Sequence, residues 1–212
     1  MRNKSIVPPP KTDNQSIYLD LLKSKKIILC YGPSGTGKTM LATLFALGEL
    51  VSKRCSNIIL TRPLVQTGNR IGELPGEILD KLEPYLKPLY NYCEQVYNKQ
   101  DFRRMLERNV IEVVPYSFMR GRTFENSIII SDETQNATYS EILMLLTRFG
   151  RNSKMIVNGD PTQSDLKTNN NDFLNVVNKL HDMKNVGIIE MKRTDIVREP
   201  IIQNILDRLE II

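Results

Sequence analysis

Short, uninterrupted apolar segments alternate along this chain with longer stretches of helical composition. Parallel strands that are covered by helices on both faces have continuous rather than alternating apolar sequences. We therefore expect buried strands at six places, and their alternation with helices predicts an α/β fold with a doubly wound, mostly parallel sheet. The predicted strands are residues 27–31, 58–60, 110–114, 128–130, 155–157 and 186–189.

A short helix is predicted at residues 15–23, leading into the first strand, and two helices are predicted between strands, at residues 40–50 and 139–149. Residues 63–108 are too many for an ordinary connection, and they predict a helical insertion between the second and third strands. Within the insertion, Pro84 and Pro88 are expected to kink or break a helix. The whole chain, 1–212, is predicted to be a single domain.

Composition excludes several classes of protein. Hydrophobic residues make up 41% and charged residues 25% of the chain, as in ordinary globular domains. No apolar stretch approaches the ~18–20 residues of a membrane span, and residues 1–15 lack the apolar core of a signal peptide. The three widely spaced cysteines, Cys30, Cys55 and Cys93, favour reduced thiols in a cytoplasmic protein over disulfides or zinc. A single histidine, His181, excludes chemistry that needs histidine pairs.

Residues 32–39, GPSGTGKT, match the phosphate-binding sequence G-x-x-x-x-G-K-[ST] at every fixed position. The glycines allow a tight turn whose backbone N–H groups face a phosphate, and the following helix adds its positive end. Lys38 is expected to reach the β- and γ-phosphates, and the Thr39 hydroxyl to bind Mg²⁺. The predicted nucleotide-binding residues of this P-loop are Gly32, Pro33, Ser34, Gly35, Thr36, Gly37, Lys38, Thr39 and Met40.

Two further strands end in polar residues. The strand at 128–130 leads into Asp132 and Glu133, and ligands of open α/β sheets bind at such strand ends. We expect Asp132 to hold Mg²⁺ through its water shell and Glu133 to act as the general base on the attacking water. After the strand at 155–157, Gln163 can contact a γ-phosphate; taken alone, this loop is equally well a plain turn.

Further short motifs occur in a fixed order with these segments: TRP at 61–63, GELPG at 72–76, MRGRT at 119–123, SDETQN at 131–136, LTRFG at 146–150 and NGDPTQ at 158–163. The set resembles the PhoH family of ATPases, whose core is similar to the first motor domain of superfamily-one helicases. The resemblance extends over residues 12–209. It implies a three-layer RecA-like P-loop core, Mg²⁺-dependent ATP binding and hydrolysis, and work on RNA or another single-stranded nucleic acid.

The resemblance also implies roles for single residues. It assigns Lys38 with Thr39 to phosphate and metal, Asp132 with Glu133 to the Walker B pair, and Gln163 to the third helicase motif. By the same resemblance, Gln15 reads adenine. Thr134 and Asn158 depart from the usual alanine and threonine of the family, each by a near-isosteric change. Neither a second motor domain nor a PIN nuclease is recognised, so we expect neither helicase activity by this chain alone nor nuclease activity.

An arginine must neutralise the charge that develops on the γ-phosphate, and it can come from the same chain or from a neighbour. For a single motor core, we expect a neighbour to supply it within a closed homo-oligomer, hexameric by resemblance. Arg148 is the leading donor because it lies on the polar face of the predicted helix 139–149; a solvated surface charge is the alternative. The competing candidates are Arg120, Arg122, Arg193 and Arg198.

Positive charge in the insertion favours single-stranded nucleic acid as a partner. Arginines could hold the backbone phosphates and tyrosines could stack on unpaired bases, although the tyrosines fit core packing equally well. The residues concerned are Arg62, Arg70, Arg103, Arg104 and Arg108, with Tyr85, Tyr90, Tyr92 and Tyr97.

Two other functions stay open on sequence alone. They are a P-loop kinase that phosphorylates a small acceptor, and a nucleotide-dependent scaffold that does not hydrolyse. Residues 98–101, NKQD, match the guanine motif of GTPases, but they precede the acidic strand and predict only a turn between two helices.

Overall fold

The computed structural model describes residues 6–63, 90–94, 96–165 and 171–199, together with residues 201, 205 and 208. Within these residues, six strands form one parallel sheet in the order β3-β2-β4-β5-β1-β6. All six predicted strands and the α/β class are therefore confirmed. The strands are β1 (Ile27–Tyr31), β2 (Asn57–Thr61), β3 (Ile111–Val113), β4 (Ser127–Ser131), β5 (Lys154–Gly159) and β6 (Val186–Glu190).

In the described part of the chain, five helices cover the two faces of the sheet, and alternate side chains of the strands enter two separate cores. On one face, Tyr18, Leu41 and Phe102 of the first three helices pack in the core that contains Ile28 of β1. On the other face, residues of the last two helices pack in the core that contains Leu29. The result is three layers, with helices α1 (Asp13–Ser24), α2 (Lys38–Val51), α3 (Lys99–Glu107), α4 (Tyr139–Leu146) and α5 (Asp172–Leu180).

The helix predicted at residues 139–149 ends earlier, at Leu146. A turn at residues 147–148 follows, after which Phe149 forms a parallel bridge with Phe124, and the Phe124 N–H donates to the Arg148 carbonyl at 3.0 Å. The predicted apolar face is also narrower than expected, since Leu143 is 51% exposed. Tertiary pairing has here overridden a helical pattern.

Part of the predicted insertion lies outside the described residues, including Pro84, Pro88 and the motif at 72–76. In the part that is described, residues 90–94 are helical and Asn98 caps α3 by accepting a hydrogen bond from the Asp101 N–H at 2.8 Å. The NKQD segment is thus the cap and first turn of α3, whereas the sequence predicted a turn between two helices.

The strand order brings three loops together at one edge of the sheet. Strand β5 lies between β1 and β4 and pairs with both, so the residues that follow these three strands are neighbours. These are the P-loop, the acidic pair and the loop that carries Gln163. Among the described helices, none is long and apolar enough to cross a bilayer. All three cysteines are buried free thiols, as expected.

Candidate nucleotide-binding site

The P-loop joins β1 to α2 through a backbone path that depends on glycine. Gly32, Gly35 and Gly37 have φ values of 131°, 86° and 88°, which residues with a side chain rarely adopt. A Cβ atom on Gly32 would also lie only 2.1 Å from the Met191 carbonyl oxygen. The loop therefore leads into the N-terminus of α2 with the geometry that the sequence predicted.

The Lys38 ammonium is folded back on its own loop. Its Nζ donates to the carbonyl oxygens of Gly32 at 2.6 Å and of Pro33 at 2.8 Å. Burial lowers the pKa of Lys38, while nearby acidic groups, among them Asp160 and Asp132, act in the opposite direction. A polyanion that entered the loop would meet this partly desolvated cation.

Thr39 and Asp132 bring the two expected metal-binding positions together. The Thr39 hydroxyl donates to Asp132 Oδ1 at 2.8 Å. Burial and the adjacent Glu133 charge raise the pKa of Asp132 to about 6, although the hydrogen bond from Thr39 lowers it. A desolvated carboxylate beside another acid is a group that a cation would stabilise.

The donor set fits Mg²⁺. A hydroxyl and a carboxylate oxygen are hard ligands, and Mg²⁺ is commonly held by one or two such groups together with phosphates and water. In the described part of the chain, no cluster of three or more histidine, cysteine or acidic side chains could hold a metal by itself. The site thus suits a cation that arrives with a phosphate chain rather than a resident metal in a protein cage.

Glu133 is held by a residue that sequence reasoning left without a role. Its backbone has a φ of 56°, and its side-chain Oε2 accepts a hydrogen bond from Gln135 Nε2 at 2.7 Å. Gln135 Oε1 in turn accepts from the Asp160 N–H at 2.8 Å. Gln135 therefore ties the acidic pair to the loop after β5. The signal was its place two residues after Glu133.

Asp160 organises the loop that presents Gln163. Its Oδ1 accepts hydrogen bonds from the Thr162 N–H at 3.1 Å and from the Thr162 hydroxyl at 2.7 Å. Asp160 Oδ2 is buried and has no hydrogen-bond partner among the described residues. A buried carboxylate oxygen without a donor is costly unless water or a metal-bound water reaches it.

The Gln15 side chain lies beneath the P-loop and is only 3% exposed. Its Oε1 accepts from the Lys11 N–H at 2.8 Å, and its Nε2 donates to the Thr36 carbonyl at 3.0 Å. An amide group has a second N–H and a second lone pair, so one donor and one acceptor remain for a base.

These residues surround a cavity of about 530 Å³, which we call the P-loop cavity. Its volume is typical of small-molecule sites. Gly32, Pro33 and Thr36 contribute the carbonyl oxygens that hold Lys38 and Gln15. The lining includes Gln15, Ser34, Gly35, Gly37, Lys38, Thr39, Met40, Asp132, Glu133 and Gln163 from the predicted set, and also Pro8, Pro9, Lys11, Tyr92, Gly159, Asp160, Val197 and Arg198.

Arg148, the leading arginine candidate, contacts its own chain and not this cavity. Its guanidinium donates to the carbonyl oxygens of Met144 at 3.2 Å and Arg122 at 3.0 Å, and to the Thr147 hydroxyl at 3.1 Å. Arg122 pairs with Glu112 at 2.7 Å. Of the five candidate arginines, all of which lie in the described ranges, Arg198 is the one that lines the P-loop cavity.

The tyrosines of the insertion region that the structure describes are packed against a hydrophobic core rather than arrayed on a surface. The Tyr90 ring stacks edge-on against Phe102 with centroids 5.2 Å apart, and Tyr92 lines the P-loop cavity. Arg70 and Tyr85 lie outside the described residues.

A solved structure with a similar fold is the large terminase of a thermophilic bacteriophage in complex with ADP. The two superpose with a TM-score of 0.58 and 14% sequence identity, over 93% of this chain and 50% of that one. This likeness concerns the fold alone, and it confirms the predicted three-layer, RecA-like P-loop fold.

A family model identifies the family, and sequence relatives agree with it. A PhoH-like protein of Synechocystis is 40% identical over 94% of this chain, and protein PhoH of Escherichia coli K12 is 36% identical over 92%. The chain spans 61% and 56% of the lengths of these two relatives. The family model described as PhoH-like protein matches residues 8–210. By this match over nearly its whole length, the chain belongs to the PhoH-like protein family.

Proposed function

We propose that this chain binds ATP together with Mg²⁺, hydrolyses it, and couples hydrolysis to a single-stranded nucleic acid. The observation that carries the proposal is the 2.8 Å hydrogen bond between Thr39 and Asp132, with Glu133 lining the same cavity. A phosphate loop, a metal-binding acid and a second acid that can take a proton are the parts that phosphoanhydride hydrolysis needs.

Binding relies on the P-loop. Backbone N–H groups of the loop and the N-terminus of α2 would face the phosphates. Lys38 would exchange its contacts with the Gly32 and Pro33 carbonyls for phosphate oxygens, so its charge is neutralised better with nucleotide than without. Thr39 and Asp132 would hold Mg²⁺, which when bound neutralises charge on the β- and γ-phosphates.

Hydrolysis relies on Glu133 and Gln163. Glu133 would accept a proton from the water that attacks the γ-phosphorus, while the bond from phosphorus to the ADP oxygen breaks. Gln135, which donates to Glu133 Oε2, would hold the carboxylate in a fixed orientation. Gln163, at the edge of the same cavity, would report whether the γ-phosphate is present.

The nucleic-acid part of the proposal is supported by charge. The chain carries a formal charge of +5, and Arg103, Arg104 and Arg108 on or beside α3 are exposed. Basic side chains can hold a nucleic-acid backbone. Since Tyr90 packs against Phe102, the described part of this surface would act through charge more than through stacking.

The assembly part of the proposal is a closed homo-oligomer, hexameric by family resemblance, in which Arg148 serves the neighbouring site. Its support is the exposed apolar Leu143 on α4, the helix that ends just before Arg148. A repeated head-to-tail contact through this helix would close a ring.

Phosphate release from ATP tests the function directly. We expect Mg²⁺-dependent release that rises when single-stranded RNA, such as oligouridylate, is added. Lys38→Ala is the matched control, because it leaves the acidic pair in place. A lack of phosphate release would contradict the proposal and favour the scaffold that does not hydrolyse. Transfer of the γ-phosphate to a small acceptor instead of water would contradict it and favour the kinase alternative.

A further inference from the structure

The segment at residues 192–199, which follows β6, returns to the mouth of the P-loop cavity. The Val197 N–H donates to the Gly35 carbonyl at 3.0 Å, so the segment is hydrogen-bonded to the P-loop backbone. The next side chain, Arg198, donates from Nη2 to the Ser34 hydroxyl at 3.2 Å. A Cβ on Gly35 would lie 2.5 Å from Arg198 Nε, so the guanidinium lies directly against the loop at this glycine.

A second anchor holds the same segment to α1. Asp195 is 3% exposed, and its Oδ2 accepts from Asn14 Nδ2 at 2.7 Å and from the Lys192 N–H at 2.7 Å. Burial acts to raise the pKa of Asp195, but hydrogen bonds from Thr12, Asn14 and Lys192 lower it overall, which favours the ionised form. Arg198 is therefore carried on a segment that is fixed both to the helix bearing Gln15 and to the P-loop.

We infer that Arg198 is a catalytic residue that contacts the terminal phosphate of ATP bound in the same chain. The inference rests on the proposed function, because that function places the γ-phosphate beside Glu133 and Gln163. Arg198 lines the cavity with both of them, and Lys11 and Lys38 are the other basic residues of the lining. A guanidinium offers a planar fork of donors that matches phosphate oxygens, and charge on those oxygens is what hydrolysis must stabilise.

Local geometry favours this role over that of an ordinary surface arginine. The side chain is exposed, and its contact with the neutral Ser34 hydroxyl is a weak one that a phosphate would readily replace. A solvated charge would not need the hydrogen bond that joins its segment to the loop at Val197. The anchors at Asp195 and Val197 reduce the conformational freedom that Arg198 would lose on binding.

Three substitutions of Arg198 separate charge from shape. Arg198→Gln keeps a donor for Ser34 but removes the charge, Arg198→Lys keeps the charge but not the fork, and Arg198→Ala removes both. We expect kcat for ATP to fall by ~10²–10³-fold in the alanine variant, with the lysine variant retaining the most activity. ADP affinity should stay unchanged, because ADP lacks the phosphate that Arg198 contacts.

Arg151→Ala is the matched control. Arg151 is also exposed, at 87% of its side chain, and it precedes β5 and so lies toward the end of the sheet away from the cavity. The Arg151→Ala variant should hydrolyse ATP as the unaltered chain does. Loss of activity in both variants would point to a general effect of charge and would overturn the assignment.

Mixing variants tests whether Arg198 acts within its own chain. Arg198→Ala and Glu133→Gln are each expected to be inactive, and if both residues serve one site of one chain, no mixture of the two contains a complete site. Activity that returns on mixing would show that Arg198 serves a neighbour, and would overturn the assignment.

Failure of this inference is distinguishable from failure of the proposed function. If the unaltered chain hydrolyses ATP and Arg198→Ala hydrolyses it equally well, only the Arg198 role is wrong. An equal loss of ATP and ADP affinity with kcat unchanged also overturns it. If the unaltered chain does not hydrolyse ATP, the proposed function fails; a selective loss of ATP over ADP affinity in Arg198→Ala would then still support the phosphate contact, and its absence would contradict it.

Discussion

Glu133 has an unusual backbone conformation and a side chain that is held by a hydrogen bond. A non-glycine residue with a φ of 56° is uncommon, and the Gln135 amide holds its carboxylate at 2.7 Å. Strained residues of this kind concentrate where a side chain must be aimed at a reactant.

Glu133→Gln should bind ATP as tightly as the unaltered chain but lose turnover, because an amide cannot accept the proton from water. The expected loss in kcat is ~10²–10⁴-fold, the usual contribution of a general base. Calorimetric ATP titration alongside phosphate release measures both effects. Hydrolysis at the unaltered rate would mean that another group takes the proton.

The raised pKa of Asp132 predicts that the stability of the folded chain depends on pH, with a sign opposite to that produced by most carboxyl groups. Its pKa in the folded chain, about 6, exceeds the ordinary 3.8, so folding favours the protonated form. The contribution is fully present at low pH and is lost as the pH rises through 6. Ionised Asp132 therefore destabilises the chain in the absence of a cation.

Asp132→Asn should consequently be more stable than the unaltered chain at pH 7 without nucleotide, by ~1–3 kcal/mol after allowance for partial solvation. The advantage should shrink at pH 4, where the native carboxyl is protonated. Urea unfolding of both chains at the two pH values gives the comparison. An advantage that does not depend on pH would show that the Asp132 charge is not the cause.

Gln15 predicts a preference for adenine. Its free N–H and lone pair can pair with N7 and the N6 amino group of adenine, whereas guanine offers acceptors at both positions. We expect ATP to bind better than GTP, and Gln15→Ala to erode the difference by ~1–3 kcal/mol. Competition of GTP against labelled ATP measures it; equal competition in the unaltered chain would refute the assignment.

At the scale of elements, the P-loop cavity is completed by an irregular segment, residues 192–199, which hydrogen bonds hold in place. Residues 192–199 contain only one short turn, at Arg193–Asp195, and owe their path to the contacts of Asp195 and Val197. The Asp195 contact with α1 thus fixes the path of the segment, and this path determines where Arg198 lies.

Asp195→Ala should lower kcat for ATP because it releases the segment from Asn14 while leaving Arg198 in the chain. A misplaced catalytic group can cost up to ~10²-fold in rate. Asn14→Ala removes the partner of the same contact and should have a similar but smaller effect, since Asp195 keeps the Lys192 N–H. Full activity in both variants would show that the anchor does not control Arg198.

The elements that could be predicted from sequence are those whose signal is local. The strands were evident because helices cover both faces of the sheet, and the P-loop because its glycines leave a fixed spacing. Segment 192–199 could not be predicted, since its partners are remote: Asn14 is 181 residues from Asp195, and Ser34 is 164 residues from Arg198. The predicted end of α4 was wrong for the same reason, because the Phe124–Phe149 bridge joins residues that are distant in sequence.

At the scale of the whole molecule, the two arginine proposals make different demands. Arg198 would complete a site within one chain, whereas Arg148 would require a neighbour. Both can hold, because charge develops on several oxygens of the transferred group.

Specific ATPase activity should rise with protein concentration if Arg148 serves a neighbouring site. Mixing Arg148→Ala with Glu133→Gln should then restore partial activity at interfaces where the intact halves meet, although each variant alone is impaired. Mass measured by light scattering at the same concentrations shows whether a ring accompanies the rise. A strictly monomeric chain whose activity is independent of concentration would refute the ring and the trans role.

The contact between Asn14 and Asp195 joins residues near the two ends of the described chain, and Pro8 and Arg198 line one cavity. A ligand that occupies this cavity would therefore contact residues near both ends of the described chain at once, and would add to the contact that already joins them. Bound nucleotide would in this way stabilise two regions that are far apart in sequence. A partner that binds either region could therefore respond to whether nucleotide is bound, without contacting the nucleotide itself.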